Sequence, residues 1–407
     1  MRDAGVVHLE GSADEGAMPA ANGAPLRVLS VFGTRPEAIK MAPVVRELAR
    51  QPGEIVSRVC VTAQHRSLLD EVLELFAIES DYDLDVMRPN QSPTAVGAAV
   101  MRGLEPVLVG ERPDWVLVQG DTTTAALGAI AAFYGGARVA HVEAGLRSDE
   151  PREPFPEELN RRLASVAADL HLAPTGGAAF NLLAEGIDAG AIVVTGNPVI
   201  DALHAANAMT KPSLPELERV PAGQRIVVVT AHRRESFGPP LERICTAIGR
   251  LVERFPDVHV VLPAHPNPSV RLTLHEHLPA SPAIDVIEPL GYRSMVELLN
   301  RATLVLTDSG GLQEEAPSLG KPVLVLRDVT ERQEGVEAGA CRLVGTDDER
   351  IVAAASELLS SPFEYAQMSR AVNPYGDGHA AKRIVDALRG IPVDEWRPGL
   401  HTTHVLT

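Results

Sequence analysis

The chain has 407 residues, 45% of them apolar and 22% charged, with a formal net charge of −17 and a pI of about 5.2. At this length a single hydrophobic core usually stops growing, so two domains are expected. The acidic balance argues against nucleic acid or an anionic membrane as the main partner, because both need a basic face, and no apolar run reaches the length of a membrane span.

Residues 1–25 carry Asp3, Glu10, Asp14 and Glu15 without a continuous apolar stretch, so they read as a disordered tail and not as a signal peptide. From Leu26 onward, short β-branched runs alternate with longer amphipathic segments. The pattern predicts a strand at 26–32, a helix at 38–50, a strand at 56–62 and a helix at 67–76, then strands at 115–119, 138–142, 170–173 and 192–195. Around 209–223 the chain turns polar and gains Pro212, Pro215 and Pro221, which marks a linker. The alternation restarts with strands at 226–230, 259–263, 283–287, 304–307 and 323–326. A turn-rich break at Asn373-Pro-Tyr-Gly-Asp-Gly378 precedes a last helix at 380–388. Strands alternating with helices imply parallel sheets covered on both faces. The fold class is therefore α/β, with two Rossmann-like domains facing across a cleft: 26–205 first, 206–375 second, a segment at 376–390 crossing back to the first, and 391–407 a loose tail.

In open parallel sheets, ligands bind beyond the carboxyl ends of the strands. The first strand runs into Gly33-Thr-Arg-Pro-Glu-Ala-Ile-Lys40, which brings Arg35 and Lys40 to a helix start and suits an anion. It is not GxGxxG, so no NAD is expected. Later first-domain strands end in Asp121 and Glu143, and Glu157 and Glu158 open a further helix. Singly these are a cap, an ion-pair partner and a dipole charge. Converging on one rim, they can form an acid–base set, because like charges held close push pKa values apart. Gln64 and His65 follow the second strand and can line the same cleft. In the second half, His232 follows a strand beside Arg233 and Arg234, and His265 stands in a proline-rich loop.

Thr307-Asp-Ser-Gly-Gly-Leu-Gln-Glu-Glu-Ala316 is the strongest single motif. Its turn at Ser309, Gly310 and Gly311 lets backbone amides cradle a diphosphate, and Glu315, one helical turn on, offers two acceptor oxygens to ribose hydroxyls. Arg332 is a further candidate phosphate contact. No HExxH, GxSxG or paired Cys/His spacing occurs, so neither a metal nor a redox cofactor is expected. Cys60, Cys245 and Cys341 lie far apart and fit packed free thiols in a reducing compartment, hence a cytoplasmic protein.

Taken in order, these segments, together with Gln64-His-Arg66, His141-Val-Glu-Ala-Gly-Leu-Arg147 and Gly196-Asn-Pro198, resemble the non-hydrolysing UDP-N-acetylglucosamine 2-epimerases from about residue 26 to 390. The resemblance implies a GT-B type fold, a homodimer, and interconversion of UDP-GlcNAc and UDP-ManNAc through loss of UDP to 2-acetamidoglucal and its re-addition, without cofactor. It implies acid–base roles for Asp121, Glu143 and Glu157, with His232 a catalytic or diphosphate-side group. It also implies nucleotide contacts from Arg35, Lys40, Ser309, Gly310, Gly311, Glu315 and Arg332, with Leu290 and Met295 meeting the uracil. Gln64, His65 and Arg147 join the substrate-binding set. Ser67 departs from the Gln of many members, where bacterial relatives hold a second, regulatory UDP-GlcNAc, and Asn90 and Gln91 match the other half of that site only in part. Gln333 replaces a usual Pro, implying altered loop rigidity. A hydrolysing relative releasing ManNAc and UDP, a transferase and a non-enzymatic sensor remain alternatives.

Overall fold

A computed structural model describes residues 24–63, 66–88, 91–148, 150, 152, 154–231, 233 and 236–399, with only the backbone of 66 and 67. The first sheet has seven strands: β1 (Leu26–Phe32), β2 (Ile55–Val61), β3 (Tyr82–Asp83), β4 (Trp115–Gln119), β5 (Arg138–Val142), β6 (Leu170–Ala173) and β7 (Ile192–Val194). The second has six: β8 (Arg225–Thr230), β9 (Val258–Pro263), β10 (Ile284–Ile287), β11 (Ala302–Thr307), β12 (Val323–Val325) and β13 (Cys341–Leu343). Every pairing is parallel. Strand order is β3-β2-β1-β4-β5-β6-β7 in one sheet and β10-β9-β8-β11-β12-β13 in the other. Both sheets thus reverse direction beside their first strand, β1 against β4 and β8 against β11. A doubly wound sheet opens its ligand crevice at that point.

The local reasons are legible. β4 and β6 are buried along their whole length, as strands covered on both faces must be. Helix Arg35–Ala49 starts with a capping box in which Thr34 and Glu37 satisfy each other's backbone, and Pro36 lies in its first turn. Gly33 permits the tight entry, since a Cβ there would come within 1.8 Å of Thr62 Oγ1. The three cysteines are free and buried, and burial pushes the Cys60 and Cys341 thiols up to about 12, which makes them packing groups and not nucleophiles.

The last helix, Ala380–Leu388, does cross back. Asp201 accepts from the amides of Ala380 and Ala381 at its start (3.2 and 2.9 Å), and Trp115 Nε1 donates to Leu388 O at its end (3.2 Å). Ile384, Val385 and Leu388 are buried in the first-domain core, each such side chain being worth about 1.5–3 kcal/mol.

Besides the unpredicted strands β3 and β13, the linker, the tail and one helix differ from the sequence expectation. The predicted linker is part of the second core: helix Pro215–Glu218 forms inside it, and Leu214, Leu217 and Val220 are buried there, docked by their spacing of three. Residues after Pro392 are held as far as 399, the rest lying outside the described residues. Trp396 is buried, its amide donates to Val194 O (2.8 Å), and its indole donates to Pro374 O (2.7 Å). Helix Pro93–Glu111 was not foreseen, because Gly97, Gly103, Gly110 and Pro106 break its helical signature. Gly97 is there for close packing, since a Cβ would meet Leu127 Cδ1 at 2.2 Å. No helix of the described residues is long and apolar enough to cross a membrane.

Candidate active site

A buried chain of charge joins the two halves at the sheets' carboxyl ends. β5 is followed at once by Glu143, which turns into the left-handed region (φ 65°) and brings its carboxylate to the cleft. Lys40 Nζ donates to both oxygens, at 2.6 and 2.7 Å; Gln119 Nε2 donates to Oε2, and Asn197 Nδ2 to Oε1 at 3.0 Å. The same Asn197 nitrogen donates to Glu314 Oε2 at 2.9 Å, and Glu314 Oε1 accepts from Arg332 Nε at 2.6 Å. Lys40, Glu143, Asn197, Glu314 and Arg332 are thus consecutive links, all buried. Burial alone would raise the Glu143 carboxyl, but the charges of Lys40 and Arg332 hold it below its ordinary value. Burial wins at Glu314, whose carboxyl is raised. Burial opposes the Lys40 ammonium, yet Glu143 and Glu314 hold its pKa above the usual value.

Two further carboxylates sit on the first-domain rim. Gly120 (φ 71°) turns the chain after β4 and places Asp121, whose Oδ2 accepts from Arg161 Nε (3.0 Å) and Nη2 (2.7 Å). Asn160 Nδ2 donates to Asp121 O (2.9 Å), which fastens the start of helix Glu157–Ala167 to this turn. Glu157 and Glu158 then divide. Glu158 is fully buried and serves Ser148 N, Arg161 and Arg162. Glu157 Oε2 is buried without a hydrogen-bond partner among the described residues, so it alone keeps an open acceptor.

On the second-domain side, Ser309 caps helix Gly310–Ser318 by its backbone, with no side-chain cap bond, leaving the first-turn amides toward the cleft. A Cβ on Gly310 would lie 2.5 Å from Arg332 Nη1, so only glycine lets that guanidinium sit against the turn. Asp308 Oδ2 accepts from Arg233 N and Ser236 Oγ, both at 2.8 Å, and so anchors the loop after β8. Glu315 is buried and accepts from Tyr292 Oη at 2.8 Å; burial pushes its carboxyl up to about 7. Leu290 O accepts from Arg35 Nη2 at 3.3 Å across the domain boundary, and Met295 packs against the second core.

Of the residues singled out from sequence, Arg35, Lys40, Asp121, Glu143, Glu157, Ser309, Gly310, Gly311, Glu315 and Arg332 lie at the carboxyl ends of the strands or in the helix starts behind them. Arg147 is placed elsewhere. Its guanidinium is buried on Glu185 (2.8 and 2.7 Å) and Ser165 (3.0 Å), where it ties helices together inside the first domain. Gln64, His65 and His232 lie outside the described residues, as do the side chain of Ser67 and all of Asn90. Asn197 and Glu314 stand in motifs quoted from the sequence but had been given no role, and Tyr292 had not been singled out. Asn197 follows the end of β7, so the strand-end rule would have flagged it, and Glu314 adjoins Glu315.

The family model described as UDP-N-acetylglucosamine 2-epimerase matches residues 46–389. The chain belongs to the UDP-N-acetylglucosamine 2-epimerase family. A Bacillus subtilis member is 52% identical over 363 residues, covering 89% of this chain and 95% of its own. The solved Neisseria meningitidis epimerase, bound to UDP-GlcNAc, superposes with a TM-score of 0.84 at 45% identity, covering 89% of this chain and 99% of that one. A Listeria monocytogenes structure gives 0.84 at 46%, covering 90% and 96%. Two Rossmann-like domains of GT-B type are therefore the family architecture of this chain.

Proposed function

We propose that this protein interconverts UDP-GlcNAc and UDP-ManNAc by removing UDP across C1–C2 and adding it back. A base takes the C2 proton, the C–H pair becomes the C1=C2 bond of 2-acetamidoglucal, and the C1–O pair leaves with UDP. Return of UDP to C1 and of a proton to the opposite face of C2 gives the epimer. The observation that carries this reading is the buried chain Lys40–Glu143–Asn197–Glu314–Arg332, which ties the strand ends of the first domain to the Gly310 turn.

The roles follow from those settings. Glu157, with an open acceptor oxygen, and Asp121, held at the rim by Arg161, are the proton-transferring pair; for His232, outside the described residues, the family resemblance alone supports a catalytic or diphosphate-side role. Glu143 is held ionised by Lys40, so it can accept or stabilise charge but is a poor proton donor at neutral pH. Preorganised amides and Arg332 stabilise the diphosphate as charge develops on it, and Glu315 takes the ribose. Gly310→Ala is expected to push Arg332 off the turn and weaken UDP binding about tenfold, measurable by calorimetry. The protein is further proposed to be a cytoplasmic homodimer. Val109 and Tyr134, 69% and 76% exposed, line one groove between two first-domain helices and suit a second copy.

The test is incubation with UDP-GlcNAc alone, followed by chromatographic separation of nucleotide sugars. UDP-ManNAc is the expected product. Free ManNAc with UDP would replace the epimerase by its hydrolysing relative, and turnover only after addition of an acceptor would replace it by a transferase.

A further inference from the structure

Tyr292 begins helix Tyr292–Arg301 of the second domain, yet its ring belongs to the first domain's core. It is 3% exposed, and its centroid lies 6.3 Å from that of Phe76 with the planes inclined at 43°. Its hydroxyl faces the other way, donating to Glu315 Oε1 at 2.8 Å. The two preceding residues also meet the first domain. Leu290 O accepts from Arg35, and Glu71 approaches Gly291 so closely that a Cβ there would lie 1.9 Å from its Oε1. Three consecutive residues of the nucleotide-side domain are thus seated on the other one.

We propose that Tyr292 is a positioning residue that transmits the seating of the two domains to the carboxylate of Glu315, so that affinity for the nucleoside diphosphate depends on a contact remote from it. The inference rests on the assignment of Glu315 to the ribose hydroxyls. The charged and titratable groups facing Glu315 are Tyr292, Glu314 on its own helix, and Lys40 and Arg35 from the first domain. Burial raises its carboxyl most; the Tyr292 bond lowers it, Glu314 raises it, and Lys40 and Arg35 lower it. Of the four groups, Lys40 and Arg35 act from the first domain, and Tyr292 is itself packed into that domain's core. The ionised carboxylate accepts from Tyr292 and both ribose hydroxyls more strongly than the protonated acid, which turns one oxygen into a donor and loses the charge. Loss of the Tyr292 hydroxyl leaves burial less opposed, so Glu315 stays protonated to higher pH and UDP binding should need more alkaline conditions.

The experiment is calorimetric titration of UDP, from pH about 6 to about 9, into the wild type, Tyr292→Phe and Phe76→Leu, with steady-state kinetics alongside. Tyr292→Phe keeps the ring and its packing. It should weaken UDP about tenfold at neutral pH, move the affinity profile to higher pH, and raise KM with kcat unchanged. Phe76→Leu keeps the hydroxyl and should still weaken UDP, although Phe76 belongs to the other domain. A Tyr292→Phe protein with wild-type affinity and pH profile, or Phe76→Leu with wild-type affinity, overturns the coupling alone. A wild type that does not bind UDP overturns both the coupling and the reading beneath it.

Discussion

Asp121→Asn should lower kcat by about 10²–10⁴-fold, the usual worth of a positioned acid or base, while UDP affinity stays unchanged. The substitution preserves shape and keeps a side-chain oxygen for Arg161, so the rim should hold. What it removes is the ability to carry a proton at the sugar. UDP is expected to bind on the opposite side of the cleft, through the Gly310 turn, Arg332 and Glu315, none of which contacts Asp121. Calorimetry with UDP and steady-state rates with UDP-GlcNAc separate the two effects. A variant that loses both together would show Asp121 to be a structural tie to Arg161 and Asn160. A variant that keeps full rate would remove it from the chemistry.

Lys40→Met should destabilise the protein by about 3–5 kcal/mol, the usual cost of removing one partner from a buried ion pair. For domains of this size that corresponds to a fall in Tm on the order of 10 °C. Glu143 would be left buried, without its cation and linked through Asn197 to a second carboxylate, Glu314. The pH dependence has a definite sign. In the wild type Glu143 lies below its unfolded value of 4.5, so its contribution is present above that pH and lost as the pH falls further. In the variant Glu143 favours the proton instead, so the deficit should be large at neutral pH and shrink in acid. Lys40→Met combined with Glu143→Gln should recover part of the loss, because the orphaned charge is gone. Differential scanning calorimetry at neutral and acidic pH checks all three statements, and a drop independent of pH would contradict the burial of this cluster.

How much of this was legible in the residues differs by level. β1, β4, β5, β6 and the last helix run where apolar pattern and turn residues place them, because strands covered on both faces leave an unbroken apolar signal. The two-residue β3 and the glycine-rich helix Pro93–Glu111 did not show. One is an edge too short for periodicity, and the other uses glycines for contact where propensity reads them as breaks. At the site, the strand-end rule located Asp121, Glu143 and the Ser309–Gly311 turn. It said nothing about sharing: one Asn197 nitrogen bridging two carboxylates, or Tyr292 joined to Phe76 and Glu315, exists only once the two sheets face each other. Likewise nothing in the spacing of Glu157 and Glu158 shows that the second is consumed by arginines while the first keeps an open oxygen. Arg147 illustrates the converse, a motif residue whose guanidinium is held by Glu185 and Ser165 inside one domain.

The central claim is reversible breaking of the C2–H bond by this protein with no second substrate. Proton NMR of UDP-GlcNAc in deuterated water with the protein alone tests it most directly. Elimination and re-addition should give loss of the C2 proton signal from the remaining UDP-GlcNAc together with growth of UDP-ManNAc carrying deuterium at C2. Product that retains its C2 proton, or substrate left unexchanged at full protein concentration, would contradict it.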